Sequence, residues 1–431
     1  MDNNQKPGTQ AVGTTVDEPE KPEFPQPWVV ARGLIPERGP RRLLALAFFV
    51  NMIGNGLYMT GAALFFTRSV GLSVAQVGLG MGAASLVGLV AGIPVGRLAD
   101  VRGARETYLV TLAVQAVAMA SLVLVQTFWL FVLVICVTQL ANSASVASRG
   151  PLIRGFGGAS PTKFRAYLRA TNNLAGSAGA LAAGVVVHLD TRAAYAALIL
   201  GNAFTFAACA LVIARLPRLA PVPAPPMADR WVALKDKPYM TVTMLDGLLT
   251  MQGQVLVFAL PLWIVGQTDA PRWLVGVCAV INTLIVVAFQ VRASRGIDSN
   301  AGAIRAVRRA GLVFLLGMAL IAVTGDLSPA AATALILAGV VVHTVGELWQ
   351  AAASFELNFG LAPAHAQGQY SGLFGMGHGL TNAITPSVLG LLCVTWGAPG
   401  WLVMGGFFVV VGMAMPYAIR WAERTRVVEP R

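Results

Sequence analysis

His343, Glu347, Gln350 and Ser354 stand at offsets of four, seven and eleven in the apolar run VVVHTVGELWQAAASFEL, a spacing that gathers them on one face of a helix. A second carboxylate, Asp246, lies in MTVTMLDGLLTMQGQ with Thr250 four residues on and Gln254 a turn further. Desolvation favours the neutral form of a carboxylic acid, so such groups can bind and release a proton during a conformational cycle. Glu347 is the first choice for that chemistry and Asp246 the second. His343, one turn from Glu347, fits either a proton relay or a hydrogen bond between helices. Two further polar stripes, Asn51, Asn55 and Tyr58, and Gln139, Asn142 and Ser143, offer hydrogen bonds to a small molecule. Asn172, Asn173, His378 and Asn382 read as interhelical hydrogen-bonding groups.

The elements that carry these residues must be membrane helices. Charged residues make up 12% of the 431-residue chain and hydrophobic ones 56%, and its mean hydropathy is +0.68, well outside the soluble range. A crossing needs about 20 apolar residues, and twelve runs qualify. The first six are 43–66, 77–97, 107–126, 128–148, 168–188 and 193–214; the second six are 240–265, 273–291, 306–325, 330–353, 369–394 and 398–420. The expected fold is therefore all-α and integral to the membrane, with about twelve transmembrane helices in two six-helix bundles around a central cavity. Residues 1–42 read as a disordered cytoplasmic tail, 43–215 as the first half, 216–239 as a Pro-rich linker with a short surface helix, 240–421 as the second half, and 422–431 as a C-terminal tail.

Orientation follows from charge. Only Arg68, Arg192 and Arg272 of the 31 Lys and Arg fall on outside loops when both termini are cytoplasmic, and that bias is the positive-inside signal. The net charge of +12 is thus a topology signal rather than a nucleic-acid surface. On this ledger no Lys or Arg is left in a span, which argues against polyanionic substrates and leaves the acidic groups to favour a cation. Cys136, Cys209, Cys278 and Cys393 sit in four different apolar runs without CxxC spacing, so neither a disulfide framework nor a metal site is expected. HExxH, GxSxG and GxxxxGK[ST] patterns are lacking, which argues against an enzyme and against ATP-driven work.

GRLADVRGARE follows the second span, and its Gly96, Asp100, Gly103 and Arg105 fit GxxxDxxGxR. With twelve spans and a central linker, the chain resembles the major facilitator superfamily from Leu43 to Trp421, whose signature loop joins the second and third helices. The resemblance implies a transporter that works by alternating access, a latch at this loop with Arg149 as partner of Asp100, and a cavity lined by the first, fourth, seventh and tenth helices. Asn51, Asn55, Tyr58, Gln139, Asn142, Thr250 and Gln350 would line it. The matching loop of the second half, FQVRASRGID, has Ala293 in place of the Asp, and the fifth span, NNLAGSAGALAAGVVV, lacks the Gly-Pro pair frequent in proton-coupled exporters of the family. The expected function is proton-coupled export of a small hydrophobic or cationic compound, with import of a sugar or amino acid as the alternative. A non-transporting membrane receptor or enzyme is the reading from another class. The expected partners are the lipid bilayer, the substrate and protons, with the chain a monomer needing no cofactor, in a bacterial plasma membrane.

Overall fold

The computed structural model describes residues 36–158, 160–225 and 229–425, and these residues form helices joined by short turns, without strands. Twelve long helical segments follow in order: α1 Pro40–Leu64, α2 Val74–Arg102, α3 Ala104–Ser121, α4 Phe128–Phe156, α5 Pro161–Leu189, α6 Arg192–Ile213, α7 Lys237–Gln267, α8 Leu274–Ala293, α9 Asn300–Ala322, α10 Pro329–Gly360, α11 Gln367–Leu389 and α12 Ala398–Arg424. Nine of them, all but α5, α9 and α11, are long and apolar enough by themselves to cross a membrane. Exposed apolar side chains such as Met59, Trp129, Leu181 and Phe204 cover the outside of the helices, the surface expected of a protein solvated by lipid.

Local chemistry sets the helix ends. Ser73, Thr127, Ser160, Thr191, Asp236 and Ser299 accept first-turn amide hydrogens at the starts of α2, α4, α5, α6, α7 and α9, and Gln76 completes a capping box with Ser73. Pro40 at the first helical position starts α1 three residues before the apolar run begins, so the boundary at residue 42 moves to 39. The disordered-tail expectation for residues 1–35 lies outside the described residues, as does that for 426–431. Of the last tail, residues 422–424 are helical. Gly103 turns the chain between α2 and α3 at φ +106°, a conformation closed to other residues without strain.

Helix α7 is not continuous. A 3₁₀ turn at Met251–Gln254 and a π turn at Val255–Ala259 precede its last segment, Leu260–Gln267. Pro261 lacks an N–H and its ring excludes the carbonyl four residues back, which is why the hydrogen-bond ladder slips here. Pro386 likewise precedes a π turn, Gly390–Thr395, at the end of α11.

Packing sorts the helices into two sets. One buried apolar cluster is built from α1–α6, joined only by Phe359, and the other from α7–α12 with its flanking turns and linker, joined only by Ile93. Between the sets, α2 and α4 lie against α11, and α5 lies against α8 and α10. The α2–α11 seam is a glycine seam: a Cβ on Gly96 would strike the carbonyl of Gly368, and one on Gly92 would come within 2.9 Å of the Gly372 carbonyl oxygen.

Candidate functional site

At one end of the seam, the Asp100 carboxylate accepts from the backbone amides of Gly368 at 2.6 Å and Gln369 at 3.0 Å. These are first-turn amides of α11, which no residue of that helix can satisfy, so α2 caps α11 from across the seam. Arg154 of α4 adds a second clasp: its Nη1 donates to the carbonyls of Phe359 and Ala362 and, at 2.6 Å, to Gln367 Oε1. Thr162 bonds Glu356, and Lys163 pairs with Asp298. Arg149, the expected partner of Asp100, instead lies over the ring of Phe48. Arg105 turns away from the seam, donating to Glu106 and to the carbonyl of Ala214.

Beyond these contacts lie two cavities that share Val146, Gly375 and His378. The upper one, of about 440 Å³, is walled by α2, α4 and α11 and presents Ser85, Gln139, Asn142, Ser143, His378 and Asn382. The lower one, of about 210 Å³, is walled by α4, α5, α7, α10 and α11 and presents Arg165, Arg169, Thr250, Gln350, Ser354, Asn358 and Ser371. Of the expected cavity residues, Gln139 and Asn142 are in the upper cavity and Thr250 and Gln350 in the lower one. Asn51, Asn55 and Tyr58 line neither; Asn51 and Tyr58 are buried, and Asn55 donates to Met52 Sδ within α1. The first helix is thus replaced by α2, α5 and α11 as a wall of these cavities.

The expected proton-binding groups fall into two separate clusters. Asp246 is wholly buried, accepts from Ser354 Oγ at 2.8 Å and from His378 Nε2 at 2.7 Å, and has Gln350 Nε2 at 3.5 Å. The imidazole of His378 is 28% exposed at the junction of the cavities and rests on Phe374. Glu347 is held elsewhere, by Arg169 of α5 at 2.5 Å and Asn282 of α8 at 2.8 Å. His343 reaches neither carboxylate by a hydrogen bond. Its Nε2 faces both the carbonyl and the side-chain oxygen of Gln252 at 3.2 Å, so it carries the proton and donates. The Gln252 carbonyl also accepts from the Val255 amide in the 3₁₀ turn, so His343 uses its second lone pair.

Arg169 already falls inside the run 168–188, and α4 and α5 extend beyond the apolar runs to Phe156 and back to Pro161, so that Arg149, Arg154 and Arg165 also lie within helix. Among the described residues, no Asp or Glu is in the lining of either cavity. Sequence reasoning missed His378 as a carboxylate partner, and Arg154 as a clasp. It also missed Asn282, the polar anchor of Glu347 and one of two amides, with Gln290, in the apolar run 273–291.

Comparison with known proteins follows the geometry. The family model described as Major Facilitator Superfamily matches residues 44–380. A bacterial homologue of the iron transporter ferroportin in its outward-facing state superposes with a TM-score of 0.69 at 13% identity, over 89% of this chain and 99% of that one. The human organic anion transporter MFSD10 gives 0.66 at 14% identity over 88% and 99%, and the proton:xylose symporter XylE 0.65 at 12% over 88% and 95%. A search of curated protein sequences found no match. At such identities the structural likeness establishes the fold. With the family match spanning most of the helices, the chain belongs to the major facilitator superfamily of multi-pass membrane transporters.

Proposed function

We propose that the protein is a proton-coupled secondary transporter that moves a small organic molecule by alternating access between two six-helix halves, with Asp246 and His378 as the proton-binding pair. The observation that carries this reading is the position of that pair. Asp246 is fully buried on α7, His378 is partly exposed on α11, and the histidine stands where the two cavities meet. A proton taken up there changes a charge that bridges two helices lining the substrate path, and so can bias which arrangement of the halves is stable.

The distribution of Lys and Arg supports a cytoplasmic Asp100 end, with both termini on that side. On that orientation the contacts of Asp100, Arg154, Thr162 and Lys163 close the cytoplasmic side, and the structure corresponds to the outward-facing arrangement. The composition, rich in Ala, Val, Gly and Arg, fits a bacterial plasma membrane. Export against an inward proton gradient is the first reading of direction. A cationic cargo is not carried forward, because neither cavity offers a carboxylate.

The test uses vesicles reconstituted with the full chain and an imposed pH gradient, with a panel of radiolabelled acids, amides, amines, sugars and amino acids. Net movement of at least one compound that stops when a protonophore collapses the gradient is the expected result, and its direction separates exporter from importer. Movement that ignores the gradient removes proton coupling; no movement of any compound removes transport.

A further inference from the structure

The lower cavity holds two guanidinium groups and no carboxylate. Arg165 and Arg169 stand one turn apart on α5 and so share its face. Arg169 is committed to Glu347. Arg165 has neither a counter-ion nor a hydrogen-bond acceptor among the described residues. Its guanidinium carbon lies 5.5 Å from the ring centre of Phe355, and Arg149 and Arg169 add further positive charge around it. Stacking uses the face of a guanidinium and leaves the in-plane N–H fork available. Asn358, also in the wall, accepts from Gln367 Nε2 and Ser371 Oγ through its Oδ1, so its amide hydrogens are donors without a described acceptor.

Arg165 is only partly exposed, and a cation partly withdrawn from water without a partner carries a cost that an anion in the cavity removes. We propose that this cavity binds the carboxylate of a small amphipathic organic acid. Arg165 forms the bidentate pair, Asn358 donates a further hydrogen bond, and the apolar part of the ligand lies against Phe355, Phe359 and Phe374. A monoanion fits better than a phosphate dianion, because only one of the two cavity guanidinium groups is free of a counter-ion. The proposal rests on the reading of these cavities as the substrate path.

The experiment measures thermal stability of the full chain in lipid nanodiscs against benzoate, phenylacetate and hexanoate, with the amide and the amine of each skeleton as controls. At least one acid is expected to give a saturable upward shift that its amide and amine do not. Arg165→Gln should raise the half-saturating concentration roughly tenfold or more, since it removes one partner of a desolvated charge pair. Should that variant fail to fold, Arg165→Lys, which keeps the charge but loses the fork, and Asn358→Ala carry the same comparison with smaller increases. Equal responses in wild type and variants, equal binding of amides or amines, or no saturable shift with any acid would each overturn the proposal. Running the same compounds in the vesicle assay separates the two readings. Gradient-driven movement of amides or amines alone leaves transport standing and removes the acid site, whereas acid binding without movement of any compound does the reverse.

Discussion

Replacing Asp100 by alanine deletes the cap that α2 places on α11 and should open the Asp100 end of the molecule. The carboxylate makes two charge-assisted bonds, at 2.6 and 3.0 Å, each contributing about 1.5–3 kcal/mol net in typical cases. Both bonds share one carboxylate and are not additive, leaving about 2–3 kcal/mol, or roughly a 30- to 150-fold change in the ratio of closed to open forms. Asp100→Asn keeps one good acceptor and should shift the ratio roughly tenfold or less. Spin labels on cysteines introduced at Arg102 and Ala364, both exposed at this end, report the change by pulsed electron–electron double resonance. Cys209, Cys278 and Cys393 are buried, and Cys136 is replaced by alanine so that only the introduced sites are labelled. A single short distance in the parent should become a distribution with a longer population, larger for alanine than for asparagine. Identical distributions in all three proteins, with folding intact, would refute the assignment of Asp100 as a cross-seam cap.

Other substitutions separate seam from surface and pair from bystander. Gly96→Ala places a methyl against the Gly368 backbone and should cost about 1–3 kcal/mol, with the same lengthening of the label distance, whereas Gly78→Ala meets only open space and should leave melting unchanged or slightly raised. Similar melting shifts for both would mean that α2 and α11 are not in contact. Glu347→Gln and Arg169→Gln should each destabilise the protein, and the double variant should recover about 1–3 kcal/mol of the summed loss; a coupling energy near zero in that cycle would deny the ion pair. Trp263→Phe removes the 3.0 Å bond from Nε1 to Thr324 Oγ1 and should lower stability by about 1 kcal/mol without changing transport, as read by thermal unfolding beside vesicle flux.

Each of the twelve apolar runs overlaps a long helical segment, nine of which are long and apolar enough to cross a membrane, because the cost of exposing backbone to lipid leaves little choice of structure there. Hydropathy failed where helices outrun their apolar runs. The run ending at residue 148 continues as helix to Phe156, and the run starting at 168 is preceded by helix from Pro161. Helical hydrogen bonding continues as long as polar side chains find protein partners, and Arg154 and Arg169 find theirs on α10 and the α10–α11 turn. Spacing also showed that His343, Glu347, Gln350 and Ser354 share a face, but not that the face meets three different neighbours. His343 reaches α7 at Gln252, Glu347 reaches α5 and α8, and Ser354 reaches Asp246. Which helix lies opposite each residue is a tertiary fact that a single helix pattern does not encode. The pairing of Asp246 with His378 joins residues 132 apart in the chain and was hidden for the same reason.

Proton coupling through Asp246 is tested most directly by comparing two modes of flux in one preparation. Once a transported compound is known, Asp246→Asn should abolish its gradient-driven accumulation in vesicles while sparing exchange of labelled for unlabelled compound, which needs alternation of the halves but no net proton movement. Accumulation at the wild-type level in Asp246→Asn would contradict the account, because the group assigned to carry the proton would then be dispensable.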